Sequence, residues 1–184
     1  MIFKFKVIMK LYFCLFILSL TLISCKGKSE NNTVTAEQKN DTLIALKEIQ
    51  ELDSSLFLAY KNMSDTASMI PVDLIEKTIQ AHKDFVFNYP KHEFTPEALD
   101  KIHQLYMQLG QYQFSVDYGR QIIDNYPDYS KINQVLYSVA TSYDFMLDNK
   151  EKAVEYYKIL ISKEKVPDTI KNEIKDRLKV IETK

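Results

Sequence analysis

From Asp41 onward, apolar residues recur three and four positions apart, the spacing that puts one stripe along a helix, and no stretch alternates as a strand would. Leu43, Leu46, Ile49, Leu52, Leu56, Ala59 and Met63 mark a first stripe, ended by a polar break over Ser64 to Ser68. Pro71 fits the first turn of the next helix, where a missing N–H costs nothing, and Leu74, Ile75, Ile79, Phe85 and Val86 give that helix its buried side. Thr95-Pro96 restarts the chain, Thr as N-cap and Pro as first helical residue. The pattern predicts an all-α chain with helices near 41–62, 71–88, 96–109, 112–124, 131–147, 150–163 and 168–182.

Two of these helices end on the same tripeptide, Asn88-Tyr89-Pro90 and Asn125-Tyr126-Pro127, 37 residues apart. At that offset Leu99, Ile102, His103 and Tyr106 correspond to Leu136, Val139, Ala140 and Tyr143. In the following helix Ser115, Val116, Tyr118, Ile122 and Ile123 correspond, 38 residues later, to Ala153, Val154, Tyr156, Leu160 and Ile161. The extra residue is expected in the turn, where Asp148-Asn149-Lys150 replaces Gly110-Gln111 and Asn149 can take the left-handed conformation of Gly.

These positions resemble the tetratricopeptide repeat, a helix pair with bulky, aliphatic, small and aromatic residues at spacings of 3, 1 and 3, then a small residue, then a Pro after the second helix. His103 and Ser115 at small positions and the late Pro167 depart from it. The resemblance covers about Asp41 to Pro167, most closely Thr95 to Lys163, and Asp41 to Pro90 reads as a degenerate first repeat. It implies tetratricopeptide-like helix-turn-helix repeats, about three pairs, with a C-terminal capping helix. In that last helix Ile170, Ile174, Leu178 and Ile181 form the apolar stripe, and Lys171, Glu173, Lys175, Asp176, Arg177 and Lys179 a wet side. The resemblance also implies a concave partner-binding face, lined by the first helix of each pair: Glu97, Asp100, Gln104 and Met107, then Gln134, Tyr137, Thr141 and Phe145. The period and the Tyr-Pro helix ends look like the repeats of envelope proteins such as the outer-membrane assembly lipoprotein BamD and the Tol-Pal-associated cell-division coordinator.

The N-terminus is of another kind. Lys4, Lys6 and Lys10 precede an uncharged run of 13 residues, Leu11 to Ile23, which is short of the roughly 20 needed to span a bilayer. Met9-Lys10 would itself begin a well-formed signal. Leu22-Ile23-Ser24-Cys25 resembles the lipobox of bacterial lipoproteins, which implies a signal peptide over 1–24 and acylation of Cys25. Lys26 to Asn40 is polar and lacks aromatics, so 25–40 is expected to be a flexible tether and 41–184 the helical repeat domain. With Lys26, not Asp, after the lipidated Cys and no acidic tract behind it, the lipoprotein resemblance points to the inner, periplasmic leaflet of the outer membrane.

Composition narrows the functions. The chain has 184 residues with 24 Lys+Arg and 25 Asp+Glu, and loss of Lys4, Lys6 and Lys10 with the signal leaves 21 basic residues. That is no electrostatic footprint for nucleic acid. Three Gly are too few for a phosphate-cradling loop, and Cys14 and Cys25 offer no zinc site. His82, His92 and His103 lack the spacing that sets two rings on one helix face, so no metal, catalytic or cofactor role is expected. The leading reading is a non-enzymatic protein anchored to the membrane through its N-terminal lipid, holding an envelope protein or peptide; capture of a nutrient such as a glycan is the alternative, and an enzyme the third. Replacing Cys25 by Ser is expected to yield an unprocessed protein without bound acyl chains, measured by mass spectrometry of the N-terminal peptide and by fractionation. A processed, membrane-bound Ser variant would refute the lipobox.

Overall fold

The computed structural model describes residues 36–63 and 71–183; the signal segment, Cys25 and the polar break Ser64 to Ser68 lie outside the described residues. Among the described residues, seven α-helices follow one another: α1 Ala36–Met63, α2 Val72–Asn88, α3 Thr95–Gln108, α4 Tyr112–Asn125, α5 Ile132–Thr141, α6 Lys150–Ile161 and α7 Asp168–Glu182. A single π turn, Ser142–Met146, continues α5. There is no strand among the described residues, so the fold is all-α. Each helix packs on the one before it and the one after it, and the π turn also touches α4 and α6.

The helix ends fall within two residues of those expected except at the start of α1 and at the end of α5, where the π turn takes over. Helix α1 begins at Ala36, so the last five residues assigned to the tether are helical; Ala36, Glu37, Gln38 and Lys39 are all strong helix formers. In α1 the buried side chains are Ile49 and Leu56, whereas Leu43, expected in the stripe, is 58% exposed. Thr95 is not an N-cap either. It is the first residue of α3, and its hydroxyl donates instead to the Tyr89 carbonyl, 2.7 Å away, tying the helix start to the preceding turn.

The two Asn-Tyr-Pro ends have one geometry. Tyr89 and Tyr126 have φ/ψ of −129°/55° and −133°/58°, and each donates its N–H to the carbonyl four residues back at 2.8 Å. Their own carbonyls accept from His92 and Tyr129 at 3.0 Å. The Tyr126 hydroxyl then donates to the Pro90 carbonyl at 2.9 Å, so one turn is bonded to the other.

The turns inside the helix pairs overturn the placement of the extra residue. Leu109 to Gln111 and Leu147 to Asn149 are equally long, and Asp148 (φ 48°) takes the left-handed place of Gly110 (φ 70°). Asn149 has φ −101° and caps α6, its Oδ1 accepting the Lys152 N–H at 3.1 Å. The additional residue sits within the helix, where Leu147 N–H bonds five residues back to Ser142 at 2.9 Å. One residue inserted into an α-helix is accommodated by widening one turn to the π form.

His103 fits its tight position through its neighbours. The ring is 1% exposed, and a Cβ added to Gly119 would lie 2.5 Å from Val139 Cγ2 and 3.2 Å from His103 Nδ1. Only Gly leaves that space. At the equivalent positions of the next pair the sizes are exchanged: Ala140 stands for His103 and Tyr157 for Gly119.

Each pair also meets the next through a cation and two tyrosines. Lys83 Nζ donates to the Tyr106 hydroxyl at 2.7 Å and lies over the stacked Tyr106 and Tyr118 rings, 5.2 and 5.7 Å from their centroids. Thirty-seven residues on, Arg120 lies beside the hydroxyls of Tyr143 and Tyr156, whose rings stack at 5.6 Å. Tyr143 is only 3% exposed, so Tyr143→Ala removes both core packing and the stack. It is expected to cost about 3 to 5 kcal/mol of stability, by analogy with other large aromatic truncations. An unchanged urea midpoint would disprove this placement.

Candidate functional site

Helix α5 walls three successive grooves. The first, about 290 Å³, lies between α3 and α5 and is lined by Asp100, His103, Gln104, Met107, Gln134 and Ser138. The second, about 510 Å³, shares Gln134 and runs past Lys131, Asn133 and Tyr137 to Val166, Pro167 and Ile170. The third, about 300 Å³, shares Tyr137 and lies between Phe145 and the α7 residues Glu173, Arg177 and Val180.

The eight residues expected on the partner face divide among these surroundings. Gln104 and Gln134 are exposed and Met107 half-buried around the first groove. Asp100 also lines it but is buried and engaged: the Tyr129 hydroxyl donates to its Oδ2 at 3.1 Å, and Lys131 Nζ stands 4.0 Å away. Glu97 is exposed and pairs with Lys131 at 3.0 Å. Thr141 bonds back to the carbonyls of Tyr137 and Ser138 and lines none of the three grooves. Tyr137 and Phe145 meet the chain's own last helix. The Tyr137 hydroxyl donates to Glu173 at 3.0 Å, and the Arg177 guanidinium lies 4.7 Å from the Phe145 centroid.

That contact corrects the reading of α7. Arg177, assigned to its wet side, turns back onto the π turn, while Glu173 stays exposed there and accepts from Tyr137. Arg177 forms a two-pronged bond with Asp144, Nε to Oδ2 and Nη2 to Oδ1, both at 2.7 Å. Lys150 Nζ reaches Asp144 Oδ1 at 3.2 Å and also its carbonyl, and the Tyr157 hydroxyl donates to Oδ2 at 3.2 Å. The Asp144 carboxylate has no exposed surface. Burial alone would raise its pKa, but the Arg177 and Lys150 hydrogen bonds outweigh that and hold it below the usual carboxylate range. Every lone-pair direction is occupied, which makes this a structural clasp rather than an acid or base. Sequence inspection misses it because the residues are 33 apart and joined only by folding. The 37-to-38 change of period was the available signal.

The buried imidazoles are similarly committed. His103 Nδ1 donates to the Ser115 carbonyl at 2.7 Å, which leaves Nε2 as the acceptor for the Ser138 hydroxyl at 2.9 Å. His82 Nδ1 bonds the Thr78 carbonyl at 2.9 Å, with Asp53 at 3.7 Å from Nε2 and Lys101 paired to the same Asp53 at 3.0 Å. Among the described residues no three His, Cys, Asp or Glu side chains converge to hold a metal ion, and no helix is long and apolar enough to cross a membrane.

No protein-family model matches the chain, and no curated protein matches it. The class defined by fold and surface is an all-α chain of sequentially packed helices with grooves along its fifth helix.

Burial lowers the pKa of both His82 and His103, outweighing the carbonyl bonds and nearby carboxylates that raise it. The unfolded state, with histidine near about 6.5, therefore binds these protons first, so stability is full above about pH 6.5 and falls as the pH drops below it. Urea unfolding at about pH 7.5 and about pH 5.5 is expected to show a lower midpoint at the acid value. Equal midpoints would show that neither ring is buried neutral.

Proposed function

We propose that the protein is a lipid-anchored, non-enzymatic tetratricopeptide protein that holds another envelope protein, bound as an extended segment, near the periplasmic face of the outer membrane. The observation that carries the reading is the run of grooves sharing α5, in which exposed amides, Gln104 and Gln134, alternate with the apolar surfaces of Met107 and Tyr137. Amides offer both a donor and an acceptor, which suits a peptide backbone, while Met107 adapts its shape to an apolar anchor. The repeated Asn-Tyr-Pro turns and the small residues Ala140 and Ala153, both fully buried, support the repeat assignment. The positive and uncharged N-terminal run followed by Leu22-Ile23-Ser24-Cys25 supports the anchor. The chemistry-bearing groups His82, His103 and Asp144 are bonded within the fold, which favours binding over catalysis.

A photo-crosslinking residue in place of Gln104 or Gln134, in the native membrane-anchored protein, is expected to capture a reproducible envelope protein. The same residue at exposed Asp124 on α4 is expected to capture none. Equal capture from both sites, or none from the grooves under several growth conditions, would overturn the reading. Protease added to intact cells tests the placement: rapid digestion of the helices beside an untouched periplasmic control would put the protein on the cell surface and favour nutrient capture.

A further inference from the structure

We propose that the outward side of α1 is a membrane-contact surface, which lies on the bilayer to which Cys25 is anchored; this rests on the lipid-anchor reading. Helix α1 is apolar on two sides. Ile49 and Leu56 are buried toward the fold, while Leu43, Ile44, Phe57 and Leu58 are 58, 59, 67 and 55% exposed. The exposed pairs are 14 residues apart, just under four turns of about 3.6 residues, so they share the side turned away from Ile49 and Leu56. Lys39, Lys47 and Lys61 fall on that same side, with Gln50, Glu51 and Ser54 between the pairs. Lys47 pairs with Glu51 at 3.8 Å, both largely in solvent.

Two observations select a lipid surface as the occupant. The first is the spacing. About 21 Å of helix separates the apolar pairs, at about 1.5 Å per residue, and it is polar; a partner helix would find no continuous stripe to pack on, and a second copy would set the lysines against one another. A bilayer is a plane that both pairs enter at once, with lysine stems reaching outward to the phosphates. The second is chain length. Ten residues, Lys26 to Thr35, join the lipid-bearing Cys25 to α1, and however they are arranged they span at most about 36 Å. A helix of 28 residues is about 42 Å long, so the start of α1 is held within less than one length of this helix from the surface. Attachment at such short range raises the effective concentration enough for four side chains to hold.

The test uses the full mature lipoprotein, reconstituted into vesicles of phosphatidylethanolamine and phosphatidylglycerol with bromine on the acyl chains close to the headgroup. An environment-sensitive fluorophore is placed at Ser54→Cys, or at Asp124→Cys on α4 as control. The position-54 label is expected to lose most of its emission and the position-124 label to keep it. Phe57→Glu with Leu58→Glu, both exposed and so neutral to folding by circular dichroism, is expected to restore the position-54 emission. Flotation reads the anchor separately. Protein that fails to float with the vesicles overturns the anchor reading and this proposal with it. Protein that floats with an unquenched position-54 label overturns the membrane contact alone, as does self-quenching between labels at high surface density, which would place a second copy on this side.

Discussion

Between one helix pair and the next, a cation lies against two tyrosines, and the order of the chain depends on that join. Because each helix packs mainly on its neighbours in sequence, no distant element can compensate for a weak junction. A tyrosine suits the place because its ring supplies buried apolar area while its hydroxyl still needs a partner. Lys83 supplies that partner to Tyr106 and also attracts the faces of Tyr106 and Tyr118, whose planes are 20° apart. Arg120 occupies the same place beside Tyr143 and Tyr156, 16° apart, with Lys152 over the Tyr143 face at 5.6 Å. A partly desolvated cation on an aromatic face is worth up to about 2 kcal/mol, comparable to a buried methyl or two, so the junction is more than surface decoration.

The one irregularity in the helices has consequences beyond its own turn. Widening the helix at Ser142–Met146 takes up the residue that changes the offset from 37 at Tyr143 to 38 at Ala153, and Asp144 in that turn lies fully inside. A carboxylate there requires counter-charges, and it receives two, one from the start of α6 and one from α7. Leaving such a charge unpaired would cost several kcal/mol, so the last helix is bound by an electrostatic requirement as well as by Ile174 and Leu178. The widened turn is thus tied to both α6 and α7.

Much of this was legible as pattern. The 3.6-residue periodicity located the seven helices of the described residues, and the recurrence of Asn-Tyr-Pro and of Tyr106 and Tyr143 exposed the 37-residue offset. What escaped was decided by three-dimensional partners. Thr95 looks like an N-cap but finds the Tyr89 carbonyl; Asn149 looks like the left-handed residue, yet its side chain caps α6 and Asp148 takes the turn. Of the face expected to bind, Gln104, Met107 and Gln134 surround an open groove, while Asp100, Tyr137 and Phe145 are met by Tyr129 and by α7. A sequence assigns a residue to a face of its helix, but which neighbour covers that face depends on how many helices follow.

That distribution sets the chemistry each groove presents. One lysine, Lys131, faces both Glu97 at 3.0 Å and Asp100 at 4.0 Å, and Tyr129 also bonds Asp100, so the first groove combines amides, a hydroxyl and a thioether with one engaged carboxylate. Such a surface offers donors and acceptors side by side next to an apolar side chain of adaptable shape. Farther along α5, Lys165 is exposed beside the apolar rim of Val166, Pro167 and Ile170, and the buried Asn133 Oδ1 on the opposite wall has no hydrogen-bond partner within the protein. The surface chemistry is therefore graded along α5: amides and a thioether at the first groove, an apolar rim with an exposed lysine at the second.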